Sequence, residues 1–164
     1  MTQDQILLED APTTDERDPT ELIPHAIDYI LDLAGTWLAW DGRPHLADGN
    51  AWTPHKALRR VTDHLIDHLA ELEALLAEAA SRPDEWHGRT LTLDSDWARF
   101  TEPDLEEAAS RLLRLGDVYR IRIGALSAEE LDRARGNAWT IRQIVFHVSE
   151  VVYYADCLGR LDGR

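Results

Sequence analysis

Leu58, Val61, Leu65, Leu69, Leu72 and Leu76 recur every three or four residues. That spacing lines all six along one stripe of an α-helix and scatters them over both faces of a strand. The stripe opens at Trp52-Thr53-Pro54, where Thr53 suits the N-cap and Pro54 the first helical position. It is expected to run to about Ala80, ahead of Ser81-Arg82-Pro83. Three more segments repeat the pattern. Ile23, Ile27, Ile30, Ala34 and Trp37 predict a helix from Glu21 to Ala39, with Pro24 tolerated in its first turn. Leu105, Ala108, Leu112, Leu115 and Tyr119 predict a third, from just after Thr101 to Gly124. Ile144, Val148, Val151 and Ala155 predict a fourth, opened by a Thr140/Gln143 capping box and ended by Gly159. A second capping box, Ser127 with Glu130, marks a short turn before it. Four amphipathic helices without a convincing strand run predict an all-α fold, a four-helix bundle.

Two connections are long for a bundle, 40–52 and 81–100, and both are rich in Trp, Gly, Asp and His. Loops of this length are functional or disordered. Their tryptophans, Trp86 and Trp97 among them, favour a packed lid over one end of the bundle, and 89–94 (RTLTLD) reads as a brief strand. Residues 1–19 are polar and aperiodic and read as a mobile arm, which leaves 20–164 as a single domain. A domain of this size buries about 70% of its unfolded surface without staples. Trp52-Thr53-x-x-Lys56 and Trp139-Thr140-x-x-Gln143 both open a helix, so helices one-two and three-four read as related hairpins.

With 17 basic against 31 acidic residues, the net charge is −14. Such a surface repels DNA and anionic membranes, and Arg59-Arg60 is too small to be a nucleic-acid patch. The first 20 residues lack the basic and apolar regions of a signal peptide. The best apolar stretch, Ala26 to Trp40, is interrupted by Asp28 and Asp32, so no membrane span is expected. The lone Cys157 forbids an internal disulfide and reads as a small core residue; a cytoplasmic location is expected.

The chemistry-bearing residues are histidines. His64 and His68 stand one helical turn apart beside the second stripe, and His147 lies with Ile144, Val148 and Val151 on the fourth. Residues at i and i+4 are neighbours on one helix face. Each histidine alone fits a hydrogen-bonded place at the core margin. A buried pair with no shared partner costs desolvation and mutual repulsion, and a third imidazole on a facing helix completes an open zinc or nickel site. Three histidine ligands leave one position for water or substrate. Asp67, at i+3 from His64, is expected to orient an imidazole, with Asp63 an alternative. Glu150, at i+3 from His147, is expected as a general base or a fourth ligand, and Arg142 as a cofactor- or substrate-binding cation or a helix-end residue. His25, His45, His55 and His87 are expected at the surface.

Trp139-Thr140-x-Arg142 followed by His147, the pair His64-x-x-x-His68 and its Trp52-Thr53-Pro54 opening together resemble the DinB-like superfamily of DinB/YfiT-like metalloenzymes, over residues 20–160. In the common order of that family the single-histidine helix comes second and the HxxxH helix last; here the order is reversed. The resemblance implies a four-helix bundle, often dimeric, with a divalent metal on His64, His68 and His147. It implies a thiol-dependent S-transferase or isomerase, with a low-molecular-weight thiol as co-substrate; a hydrolase that activates water on the same metal is the nearby variant. The expected partners are a small-molecule substrate and a second copy, not nucleic acid or membrane. The alternative is a non-catalytic bundle, binding a small molecule or dimerising through Trp37, Trp40 and the aromatic loops, with a structural or vestigial metal.

Overall fold

The computed structural model describes residues 11–82 and 90–163. Most of the expected arm, and Trp86 and His87 of the second long loop, lie outside them. The fold is mainly α-helical, with one two-stranded antiparallel sheet. None of the described helices is long and apolar enough to cross a membrane.

Helix α1 spans Pro19–Gly35 and starts two residues before the expected Glu21. The Asp18 carboxylate accepts from the Thr20 N–H at 2.9 Å and its hydroxyl at 2.8 Å, so the end of the supposed arm is the cap. Pro24 therefore falls at the sixth helical position, beyond the first turn, and has no N–H for the Thr20 carbonyl. The α-helix also stops four residues short of Ala39. The Thr36 hydroxyl donates to the Leu33 carbonyl at 2.7 Å, and Thr36–Ala39 winds on as a 3-10 turn.

The first long loop contains a hairpin. Strand β1 (His45–Ala47) pairs with β2 (Asn50–Trp52), with His45 opposite Trp52. Asp48 and Gly49 turn it with φ of 50° and 71°, the left-handed pair that a two-residue type I′ turn requires. The strand expected at 89–94 does not form over the described residues 90–94; a 3-10 turn, Asp94–Trp97, follows instead. The turn is pinned to the preceding helix, Pro54–Leu76, through Asp96, which binds Arg59, and the residues before it through Thr92, which accepts from Lys56 at 2.9 Å.

Helix α2 spans Pro54–Leu76, capped by Thr53, whose hydroxyl accepts from the Lys56 N–H at 3.2 Å. It ends before the expected Ala80 because Glu78 turns left-handed at φ 52° and the Ala79 N–H bonds back to the Ala74 carbonyl at 2.8 Å. That closure normally uses glycine. Glu78→Gly is expected to raise stability by about 1 kcal/mol, since a side chain in this conformation costs roughly 1–2 kcal/mol. A urea titration with unchanged slope and a higher midpoint checks it.

Helix α3 spans Glu102–Gly124 as expected, and α4 is the short Ala128–Asp132 behind Ser127. The expected fourth helix is two pieces, α5 (Ile141–Ser149) and α6 (Val152–Asp156). The Ser149 hydroxyl takes the Phe146 carbonyl at 2.7 Å, and the Glu150 N–H bonds the His147 carbonyl at 3.1 Å instead. Val151, Tyr153 and Tyr154 continue with i→i−3 bonds, so the chain is overwound just beyond His147.

Both α1 and α2 pack on α3 and on the α5–α6 pair. The closest packing therefore joins helices from different halves of the chain, not the consecutive hairpins that the repeated Trp-Thr motif implies. Ile27, Ile30, Trp37, Val61, Leu65, Leu112, Ile144 and Val148 form the centre of one core, and Cys157 is buried at its edge. At Gly116 of α3 an added Cβ would stand 3.0 Å from Ile27 Cδ1 and 3.9 Å from Pro24 Cα, so α1 crosses α3 closely there.

Candidate metal centre

One line of α2, parallel to its apolar stripe, carries Lys56, Arg60, His64 and His68 at four-residue steps. On a helix these share a face, and α2 packs against α3, α5 and α6. His64 and His68 meet there with their ring centres 4.5 Å apart. His147 of α5 stands 4.9 Å from His64 and 4.8 Å from His68. All three are half-buried, and one ring nitrogen from each lies within 4.8 Å of the others.

The donor set suits a metal of the zinc or nickel type. Zinc holds imidazole nitrogens at about 2.0–2.1 Å, so the three rings would draw inward to share one ion. Burial, then the neighbouring His68, holds His147 below the ordinary imidazole range, while Glu150 and Glu71 oppose the shift. His147 is thus neutral near pH 7, the form that ligates.

The rings are held by their surroundings. The Glu71 carboxylate lies 2.7 Å from His68 Nδ1, which leaves Nε2 for a metal. Trp139 sits edge-on to His147 at 5.1 Å, and Tyr154 lies 5.7 Å from His64. The Arg60 guanidinium covers the Tyr154 ring at 4.7 Å and donates to its hydroxyl at 3.0 Å. Sequence reasoning passed over Glu71, Tyr154 and Arg60. Their spacings were readable: Glu71 is i+3 from His68, Tyr154 is two turns beyond His147, and Arg60 is one turn before His64. Removing a carboxylate behind a ligating imidazole costs about 10- to 100-fold in metal affinity. Glu71→Ala is therefore expected to weaken zinc binding by that factor in a competition titration.

The other expected residues are placed as follows. Asp67 is on the exposed side of α2. Glu150 is exposed at the end of α5, outside the ligand cluster, though its charge reaches His147. Asp63 faces Arg59 at 3.9 Å. The Arg142 guanidinium is engaged by Asp132, with Nε–Oδ1 at 2.7 Å and Nη2–Oδ2 at 3.2 Å. His25 is exposed. His55 is half-buried against Phe100, and His45, in β1, bonds the Cys157 carbonyl through Nδ1. A surface cleft of about 330 Å³ between α2 and α3 is lined by His55, Arg59, Asp96 and Arg111, and by none of the three clustered histidines.

No family model, no curated protein and no solved structure matches the chain.

Proposed function

We propose that the chain is a cytoplasmic, metal-dependent enzyme of DinB-like type, built as a four-helix bundle around a divalent metal on His64, His68 and His147. The observation that carries this reading is the convergence of three imidazole nitrogens within 4.8 Å from two helices. When bound, zinc or nickel lowers the pKa of a thiol or water at the open position, so that a nucleophile is available near neutral pH. The chain's own residues hold that position. Glu71 fixes the His68 ring, and burial keeps His147 unprotonated. Trp139 and Tyr154 wall two sides with aromatic surface, which limits water and favours a small organic substrate. The reaction class we take from the DinB-like resemblance is a displacement: a low-molecular-weight thiol gives up its proton and bonds to an electrophilic carbon as the leaving group departs, with hydrolysis as the variant that uses water.

The test is elemental analysis of protein purified without chelator, followed by thiol consumption with an aryl halide acceptor. Close to one metal per chain and metal-dependent loss of free thiol are the expected results. Metal uptake without turnover of thiol or water substrates would leave a binding protein. No uptake of zinc or nickel would remove the reading altogether.

A further inference from the structure

Arg60 is only 5% exposed. Arg17, Arg59, Arg120, Arg122, Arg142 and Arg160 all contact a carboxylate. In a chain with 31 acidic residues, the buried Arg60 makes no ion pair among the described residues. Its Nη2 donates to the Tyr154 hydroxyl at 3.0 Å, and its buried Nη1 has no hydrogen-bond partner. A buried cation lacking a counter-charge is costly, and so is an unmade hydrogen bond on it. Packing alone does not explain an arginine here, since an unbranched apolar side chain fills the same line of α2 without that cost.

We infer that Arg60 and Tyr154 form a receptor for the carboxylate of a small-molecule substrate whose reactive end lies at the three-histidine centre. The Tyr154 hydroxyl accepts from Arg60 and so keeps its own proton to donate. The unpartnered Nη1–H and the Tyr154 O–H are two donors for the two oxygens of one carboxylate. The receptor lies next to the centre, for the Tyr154 ring stands 4.7 Å from the Arg60 guanidinium and 5.7 Å from the His64 ring. Arg60 also lies one turn before His64 on the same helix face. The position of the reactive end rests on the metal reading above; the carboxylate receptor does not.

The test compares the full chain with Arg60→Met, zinc-loaded and metal-stripped, using calorimetry and melting shifts with succinate and with its neutral diamide. Succinate offers one carboxylate to Arg60 and a second group to the centre. The inference expects Arg60→Met to fold, to melt no lower than the wild type and to bind zinc equally well. It expects succinate binding to weaken roughly 10- to 100-fold, the worth of a charge-assisted hydrogen bond. It also expects succinate, but not the diamide, to raise the melting temperature of the metal-stripped wild type and not of the variant. A wild type that binds no zinc sinks the metal reading and leaves the stripped comparison to decide Arg60. Equal succinate affinity in both chains, no succinate binding by either, or a variant that melts well below the wild type would overturn the inference.

Discussion

Alanine in place of His64, His68 or His147 is expected to weaken zinc binding by more than about 100-fold while the helices stay folded. The lower bound follows from the cost of losing a mere supporting partner, about 10- to 100-fold, because a ligand removed outright costs more. The three substitutions should not add. Once one imidazole is gone, the remaining two are an ordinary pair, and a second loss removes little further affinity. The folded state survives because each ring is only half-buried, and the apolar stripe beside them, Val61, Leu65 and Leu72, is untouched. Zinc should stabilise the wild type by about 2.7 kcal/mol at 100 times its Kd, and the variants by less than about 0.4 kcal/mol at the same concentration. Acid should act in the same direction. Protons compete for the ring nitrogens, and burial with the neighbouring His68 holds His147 below its ordinary value of 6.5, so affinity falls as pH drops below that value. Calorimetry at pH 7.5 and 5.5, with melting curves in zinc and in chelator, makes the comparison. If any single alanine variant retains wild-type zinc affinity, the three-histidine assignment fails.

How much of this was readable beforehand differs by element, for physical reasons. Apolar periodicity and cap chemistry are local, and they located the openings of α2, α3 and α5 at Thr53, Thr101 and Thr140. Helix ends depend on competition for single carbonyls. Thr36 shortened α1 and Ser149 divided the last helix by taking carbonyls through their hydroxyls, which periodicity does not register. The hairpin at 45–52 was signalled only by Asp48-Gly49, because the flanking strands, His-Leu-Ala and Asn-Ala-Trp, are three residues long, weak in β propensity and carry no alternation to read. Partner choice among helices was misread from the repeated Trp-Thr motif, because the motif reports a shared way of starting a helix and not a shared packing face. For the centre, helical spacing was enough to place the three histidines, since their angular positions on two helices suffice. The groups that hold and flank them, Glu71, Tyr154 and Arg60, belong to the same faces but were passed over. In so acidic a chain a glutamate looks solvated, and an arginine inside is unexpected on composition alone.

The same logic applies to Asp96, whose loss is expected to be the most damaging to stability among the substitutions considered. The residue is 2% exposed. Its Oδ1 accepts from Arg59 Nε at 3.1 Å, and its Oδ2 accepts from Arg59 Nη2 at 2.6 Å and from the Leu93 N–H at 2.8 Å. Its carbonyl receives the Thr53 hydroxyl at 2.6 Å, so the residue that caps α2 is tied to the same point. Asp96→Ala leaves Leu93 N–H and the guanidinium without that carboxylate. Breaking a buried pair from one side costs about 3–5 kcal/mol. The lower figure applies, because the Arg59 side chain keeps 18% of its surface in water and retains the Leu91 carbonyl at 2.9 Å. A loss of about 3 kcal/mol corresponds to roughly 6–12 °C in Tm for a chain of this size. Asp96→Asn keeps an oxygen for Leu93 but not the charge, and should lose roughly half as much. The loss should appear in the global urea transition, because the segment 92–97 is joined to the opening turns of α2 by Thr53, Lys56 and Arg59 together. If hydrogen exchange instead quickens only over 90–100 while the urea midpoint holds, the turn is an independent flap and the pinning role is wrong.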